Sequence, residues 1–420
     1  MMEDIVLITN DSWRHDTLSS MVHLRNATDS FTVLDAITQG GSTKAALPPI
    51  LSSIYWKEED APSSSEPRSL PSVLAENGYT TAAFIGTNPF ASRWESDFDG
   101  FWNGGGQAHN KYIRNIRRGI DFMLLRKETP AHQVLKRAKQ WYTSTSSPRF
   151  MWVHLMDTHE PYYPSLRKGV SNGLVNTYKT LYEQKLKNRQ EDFDIKSQPS
   201  QFKNTLERLY RDSVVNIDSK IAEFVDSINE DATVILTGDH GEAFNHGFRK
   251  HLQVYDELTR LPFLVRWTLE EEFGFSEEVF HLDIAPALAS ALNLPIPDGW
   301  RGKPKQPAEE RISLMFNRDT RINRLYVGCR TSRYKYIQNY SCSSVELLSE
   351  ELYDIREDPH ETNDIFDSSH DFVSECRQRI ETYFEETGHS PASLAGASQT
   401  ADGDDVSEEL KEKLSHLGYR

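Results

Sequence analysis

Apolar positions in this chain gather into a few unbroken runs, and three of them stop at an acid. Thr233–Thr237 (TVILT) leads into Gly238, Asp239, His240 and Gly241. Asp4–Thr9 (DIVLIT) ends at Asn10 and Asp11, and Arg149–Met156 (RFMWVHLM) ends at Asp157. A further run, Thr80–Gly86 (TTAAFIG), ends at Thr87-Asn88-Pro89. Runs of this kind are the pattern of strands covered on both faces, as in the middle of a parallel sheet. Between them the period becomes helical. Ser69–Asn77 carries Leu70, Val73 and Leu74 on one face and stops at Gly78, and Pro130–Thr143 and the long Phe202–Asn229 are amphipathic. Strands alternating with helices predict a doubly wound, mostly parallel α/β sheet. In such sheets ligands gather beyond the carboxyl ends of the strands. Three strands thus bring Asp11, Asp157 and Asp239 to one edge, where carboxylate oxygens and the imidazole of His240 suit a divalent metal.

The texture changes after about Pro304. Ile312–Met315, Leu325–Cys329 and Tyr334–Asn339 read as short antiparallel strands, followed by the acidic stretch ELYDIREDPHETNDI and a helix near Ser369–Glu385. Gly388–Gly403 is small and polar and reads as disordered. Val406, Leu410, Leu414 and Leu417 then line one face of a short helix closed by Gly418. The expected organisation is a main α/β domain over residues 1–303, a small C-terminal α+β subdomain over 304–387, and a flexible tail over 388–420. Ser165–Gln201, polar and helical, reads as an insertion in the main domain.

Composition narrows the partners. With 63 acidic against 47 basic residues, nucleic acid is excluded as an expected partner, since phosphate backbones recruit Lys and Arg. An anionic small substrate then needs a metal or a local basic group to offset repulsion. The 3 cysteines, Cys329, Cys342 and Cys376, are widely spaced, which argues against a disulfide framework or a structural zinc site. No apolar stretch approaches membrane-spanning length, and the N-terminus enters a strand without a signal-peptide layout. A cytoplasmic protein is the expectation.

With these residues in view, the chain resembles the sulfatase branch of the alkaline phosphatase superfamily over nearly its whole length. Five segments carry the resemblance, in the family's order: VLITNDSWRHD, GSTKAALPPILSS, MDTHEPYYP, GDHGEAFNHG with HLQVYDELTRLPFLV, and finally VFHLDIAPALASAL with ELYDIREDPHETNDI. The resemblance implies an alkaline-phosphatase-like sheet and a metal site. Asp11, Asp239 and His240 match the family's metal ligands, and Asn10 stands where many sulfatases carry a second acid. An amide there can coordinate through its oxygen but lowers the charge, which weakens a hard cation such as Ca²⁺. The imidazole makes Zn²⁺ or Mn²⁺ suitable as well.

The nucleophile segment departs from the family. Sulfatases use a formylglycine made from cysteine or serine ahead of a short motif with proline and arginine. Thr43-Lys44-Ala45-Ala46-Leu47 has neither, and the cysteines all lie in the C-terminal region. Thr43 falls at the nucleophile position, with Ser42 as its rival; related phosphodiesterases and phosphoglycerol transferases use an unmodified threonine. Because Pro48 and Pro49 suit only a first helical turn, the helix is expected to start near Pro48, with Thr43 in the loop ahead of it. Lys44 is a candidate for the oxyanion or a solvated surface lysine. By resemblance His159 and His251 are candidates to protonate the leaving group, and imidazoles titrate in the right range. His246 and Asp157 are weaker candidates, and Arg14 with Asp16 either steadies the nucleophile loop or forms a surface ion pair.

The reading is a metal-dependent hydrolase or transferase of sulfate or phosphate esters, with phosphoester work favoured because the formylglycine machinery is absent. A binding protein on a degenerate sulfatase fold would be expected to lose Asp11 or Asp239, and both are kept. A phosphomutase-type isomerase would need a larger cap than Ser165–Gln201 supplies. Glycan, lipid-headgroup and nucleotide or other small-molecule esters remain open, to be decided by the Asn103–Lys111 loop and the insertion.

Overall fold

A computed structural model describes residues 3–58, 68–104, 119–171, 173–187, 197–246, 252–307 and 310–396. The first sheet comprises β1 (Ile5–Asn10), β2 (Thr32–Ile37), β3 (Thr80–Ile85), β4 (Gly100–Asn103), β5 (Arg149–Leu155), β6 (Thr233–Gly238), β7 (Arg260–Arg266) and β8 (Glu278–Phe280). Their order is β4-β3-β5-β1-β6-β7-β2-β8. β7 runs antiparallel to both its neighbours, and every other pairing is parallel. This is the expected doubly wound, mostly parallel sheet. The three runs that end in acids are its centre: β1 lies between β5 and β6, with Asn10 opposite Leu155 on one side and Gly238 on the other.

The unbroken apolar runs follow from burial on both faces. Along β1, Val6 and Ile8 join a core layer with Val153 and Leu236, beneath the helices Ala131–Ser144 and Ser200–Val225. Ile5 and Leu7 point the other way, into a layer with Trp152 and Ile235 beneath Thr43–Ser52, Leu70–Glu76 and His281–Ala291. Successive side chains alternate between faces, so a strand with helices on both sides has no position left for polarity until it leaves the sheet.

A second sheet, β9 (Ser313–Asp319), β10 (Arg324–Arg330), β11 (Tyr334–Ser341) and β12 (Leu347–Asp354), is antiparallel in the order β12-β11-β10-β9. Leu314, Phe316 and Val327 pack with Ala45, Tyr55, Trp56 and Leu282 of the main region. Buried Lys335 bridges the two, pairing with Asp256 and, at 2.8 Å, with Glu361. Arg330 also reaches Asp256. Burial raises the Asp256 carboxyl, but Arg330 and then Lys335 outweigh it and hold it far below the usual range.

Two expectations are corrected. The helix expected to start near Pro48 starts at Thr43 and carries both prolines inside it. Each proline removes a helical hydrogen bond, at a cost of about 3 kcal/mol in an ordinary helix interior. Here Leu47, Ile50 and Leu51 are all fully buried, and that packing outweighs the local preference. The start of the tail is also ordered, as Pro391–Ala395 forms a helix with a Ser390–Ser393 capping box and a buried Leu394. The helix expected over 406–418 lies outside the described residues. Within Ser165–Gln201, helices Leu166–Ser171 and Leu174–Lys187 are described; residues 172 and 188–196 lie outside, as do 105–111 of the Asn103–Lys111 loop.

Candidate active site

The strand ends place Asp11 and Asp239 side by side. The Asp11 N–H donates to Leu155 O at 2.8 Å and the Asp239 N–H to Asn10 O at 3.3 Å, so both leave the sheet at the same level. Asp239 Oδ1 accepts the N–H groups of Ser12 at 3.2 Å and of His240 at 2.7 Å. Its Oδ2 is buried with no hydrogen-bond partner. Asp11 Oδ1 accepts the hydroxyl of Ser12 at 2.8 Å, a residue held at φ 58 by the sharp turn away from β1.

Thr43 meets this pair from the helix it begins. Its hydroxyl donates to Asp11 Oδ2 at 3.0 Å and lies 3.3 Å from His240 Nε2. The other ring nitrogen of His240, Nδ1, is 2.8 Å from Gly241 O and must carry the proton there, leaving Nε2 as an acceptor. One hydroxyl proton therefore faces two acceptors. Two glycines allow the approach: a Cβ on Gly41 would stand 2.1 Å from Gln253 O, and one on Gly241 2.1 Å from Glu257 O. Ser42, the rival nucleophile, donates instead to Asn317 Oδ1 of β9 at 3.0 Å.

The electrostatics match this crowding of acceptors. Burial pushes the Asp11 carboxyl up, but the imidazoles of His159, His154 and His240 outweigh it and hold it well below the usual range. Burial and then the charge of Asp11 push Asp239 up. Two carboxylates buried at one site repel unless a cation lies between them. The unpartnered Asp239 oxygen and the surplus of acceptors fit a divalent cation.

One residue of the site was not anticipated. His154, on β5, brings its Nε2 to 3.7 Å from Asp11 Oδ2, and ligand atoms of Asp11, His154 and Asp239 all lie within 4.8 Å of one another. It was hidden inside an apolar run, where a histidine gives no turn or acid to mark it. The available signal was its face: alternation puts it with Trp152 and Phe150, on the side covered by the Thr43 helix.

The remaining candidates divide. Asn10 Oδ1 accepts the Thr158 hydroxyl at 3.0 Å, and its Nδ2 is buried without a partner. A half-turn of the carboxamide exchanges the two, since a hydroxyl accepts as readily as it donates. His159 is fully buried with Nδ1 2.7 Å from Glu160 O, and the half-buried Lys127 donates to its backbone carbonyl. Lys127, also not anticipated, lies 5.7 Å from the ring centroid of Tyr163, and burial brings its ammonium down to about 8. Asp157 does not join Asp11 and Asp239: its Oδ2 accepts the N–H of Ala131 at 2.7 Å, capping the helix that starts there. Arg14 holds Asp16, Glu242 O and Glu257, so it ties β1 to the 241–257 segment and not to the nucleophile loop. His246 is paired with Glu257 at 2.8 Å and stacked on Tyr255. Lys44 follows Thr43 in the first helical turn, and His251 lies outside the described residues.

The family model named Sulfatase matches residues 3–294, and one for the C-terminal part of N-sulphoglucosamine sulphohydrolase matches 244–387. An N-acetylgalactosamine-6-O-sulfatase of Bacteroides thetaiotaomicron is 21% identical over 368 residues, 74% of this chain and 65% of that protein. The matched stretches span 29% to 65% of the length of four curated relatives. Among solved structures, one determined with its substrate D-glucosamine-2-N,6-O-disulfate superposes with a TM-score of 0.64 at 14% identity, covering 96% of this chain and 100% of that one. The phosphonate monoester hydrolase of Agrobacterium radiobacter gives 0.63 at 14% identity, covering 97% and 98%. Likeness at these identities concerns the fold. Among the described residues no helix is long and apolar enough to cross a membrane.

Proposed function

The chain belongs to the sulfatase family, and from that membership we propose that it is a metal-dependent enzyme cleaving an anionic sulfate or phosphate ester with Thr43 as its nucleophile. The observation that carries this reading is the position of the Thr43 hydroxyl, 3.0 Å from Asp11 and 3.3 Å from His240, beside the unpartnered oxygen of Asp239. Asp11, Asp239 and His240 would hold the cation, with Asn10 as a further oxygen donor after a turn of its amide. Ca²⁺, Mn²⁺ and Zn²⁺ all accept such donors. A cation there supplies charge to the transferred group and makes a hydroxyl a competent nucleophile near neutral pH.

The protein's own groups do the rest. Asp11 Oδ2 accepts the hydrogen bond of the Thr43 hydroxyl and fixes the direction of the oxygen, whose proton would pass to solvent with the cation bound. Attack then transfers the sulfuryl or phosphoryl group to Thr43 Oγ1. His159, at the turn after β5, or His251 would give a proton to the departing oxygen. Water releases the group from Thr43 in hydrolysis, and a second alcohol would do so in transfer. Phosphoester chemistry is favoured, because the segment around Thr43 has no cysteine and no modification motif. Lys127 offers a positive group near His159 for an anionic substrate.

The test compares nitrophenyl sulfate, a phosphate monoester and a phosphodiester side by side, with added Ca²⁺, Mn²⁺ or Zn²⁺. Turnover of a phosphoester by the wild type, and its loss in Thr43→Ala, is the expected result. Turnover of the sulfate alone, with an aldehyde in the Gly40–Leu51 peptide, would replace this reading with formylglycine chemistry.

A further inference from the structure

The geometry points to His154 as an additional metal ligand, which with Asp11, Asp239 and His240 biases the centre toward Zn²⁺ or Mn²⁺ over Ca²⁺. This rests on the reading of Asp11 and Asp239 as metal ligands and extends it to a residue that the family motifs quoted above do not assign.

His154 Nδ1 lies 2.8 Å from the hydroxyl of Thr9 on the neighbouring strand. That hydroxyl also accepts the indole N–H of Trp152 at 2.9 Å and lies 3.4 Å from Val153 O. The Asn88 amide decides the proton: its Oδ1 accepts the N–H of Phe90 at 3.0 Å, so its Nδ2, a donor, faces His154 Nε2 at 3.2 Å. Nδ1 therefore carries the hydrogen, and Nε2 presents a lone pair. A metal-binding histidine is held in this way, its second nitrogen donating to a fixed oxygen.

Nε2 is directed at an acceptor. Asp11 Oδ2 stands 3.7 Å away. Asp239 contributes an oxygen within 4.8 Å of both, and its Oδ2 is fully buried without a partner. His240 Nε2 is 3.7 Å from Asp11 Oδ1 and 3.7 Å from Asp239 Oδ2. Asp11, His154 and Asp239 thus bring ligand atoms within 4.8 Å of one another, with His240 Nε2 beside both carboxylates, and a cation is the species that satisfies them together. Asn88 does not remove His154 from this set. Its Nδ2 lies 3.2 Å from His154 Nε2 but also 3.5 Å from Met156 Sδ, so the amide has a second acceptor when Nε2 is engaged. Ca²⁺ prefers an all-oxygen shell, whereas imidazole nitrogen suits Zn²⁺ and Mn²⁺.

The full chain, stripped with chelator, would be titrated with Zn²⁺, Co²⁺ and Ca²⁺ by calorimetry, for wild type, Asp239→Asn and His154→Gln. His154→Gln is expected to weaken Zn²⁺ and Co²⁺ by about tenfold or more while changing Ca²⁺ much less. X-ray absorption of the Zn²⁺-loaded wild type should show scattering from two imidazoles, a readout that does not depend on a variant folding. If Asp239→Asn loses the metal while His154→Gln keeps both affinity and the Co²⁺ spectrum, or if absorption shows one imidazole, His154 is no ligand although the centre stands. A wild type that binds none of the three ions would overturn the centre itself.

Discussion

The hydroxyl of Ser42 donates to Oδ1 of Asn317 at 3.0 Å, and so has its partner in the second sheet, while its neighbour Thr43 meets Asp11. Two adjacent hydroxyls are thereby told apart by what receives their protons. Thr43→Ala should lose turnover by several orders of magnitude, as other covalent enzymes do when the nucleophile is deleted. Thr43→Ser should keep part of it, and Ser42→Ala most of it. The peptide Gly40–Leu51 should have the mass of its unmodified sequence. Loss of activity in Ser42→Ala with retention in Thr43→Ala would reverse the assignment.

Asp239→Asn should leave the fold intact, because the side chain lies beyond the end of β6 and outside the apolar layers. It removes half of the carboxylate pair, so tight binding of a divalent metal should be abolished. Elemental analysis and circular dichroism of wild type and variant check this, and equal metal content in both would refute it.

Glu257 offers a test of pH dependence away from the metal donors. Burial raises its carboxyl, but His246, and then Arg14 and the N–H of Phe244, bring it down from 4.5 to about 2. A carboxyl lowered on folding contributes stability above its unfolded value and loses it as pH falls through the folded one. His246 is raised from 6.5 by Glu257 against the opposing effect of burial, so its share is present below 6.5 and is lost as pH rises through the higher folded value. Glu257→Gln should therefore cost most between about pH 5 and 6.5, on the order of 3 kcal/mol for breaking a buried pair. The gap from wild type in denaturant melts should narrow as pH falls from 5 toward 2. A gap that does not change over that range would show the pair contributes nothing through its charge.

We propose that residues 304–387 form a dependent subdomain. Residues 1–303 expressed alone would expose Tyr55, Trp56 and Leu282, which pack against the second sheet. They would also leave Asp256 without Arg330 and Lys335. A buried carboxylate stripped of its partners costs about 3–5 kcal/mol, a large share of a domain's net stability. Met1–Lys303 should be aggregated or poorly folded by size exclusion and circular dichroism. A soluble, active fragment would overturn the proposed boundary.

Much of this was legible in the sequence. β1, β5 and β6 could be read because burial on both faces demands continuous apolar residues, and their ends because polarity returns only where the chain leaves the sheet. Asp11 and Asp239 stand out by that contrast, whereas Asp157 gave the same signal and turned to cap a helix. His154 gave none, because its meaning depends on which strand lies beside it, and strand order is not written locally. The Thr43 helix starts five residues before the point that proline's local cost predicts, because the burial of Leu47, Ile50 and Leu51 is a tertiary effect. β12 was obscured for a related reason: its first residues, Leu347–Ser349, are exposed and the run is rich in acids, so it lacks the pattern of a buried strand.

Gln39 O accepts the N–H of Phe316 at 2.9 Å, Ser42 meets Asn317, and Gly41 lies against Gln253. The segment that delivers Thr43 is thus a seam stitched from both sides. Heredity and engineering feel this alike. A chimera that exchanged the C-terminal region between relatives would inherit a foreign tailor for its own nucleophile, and a graft that stayed folded could still fall silent. Residues 38–43, the β9 edge and Gln253 would therefore have to change together.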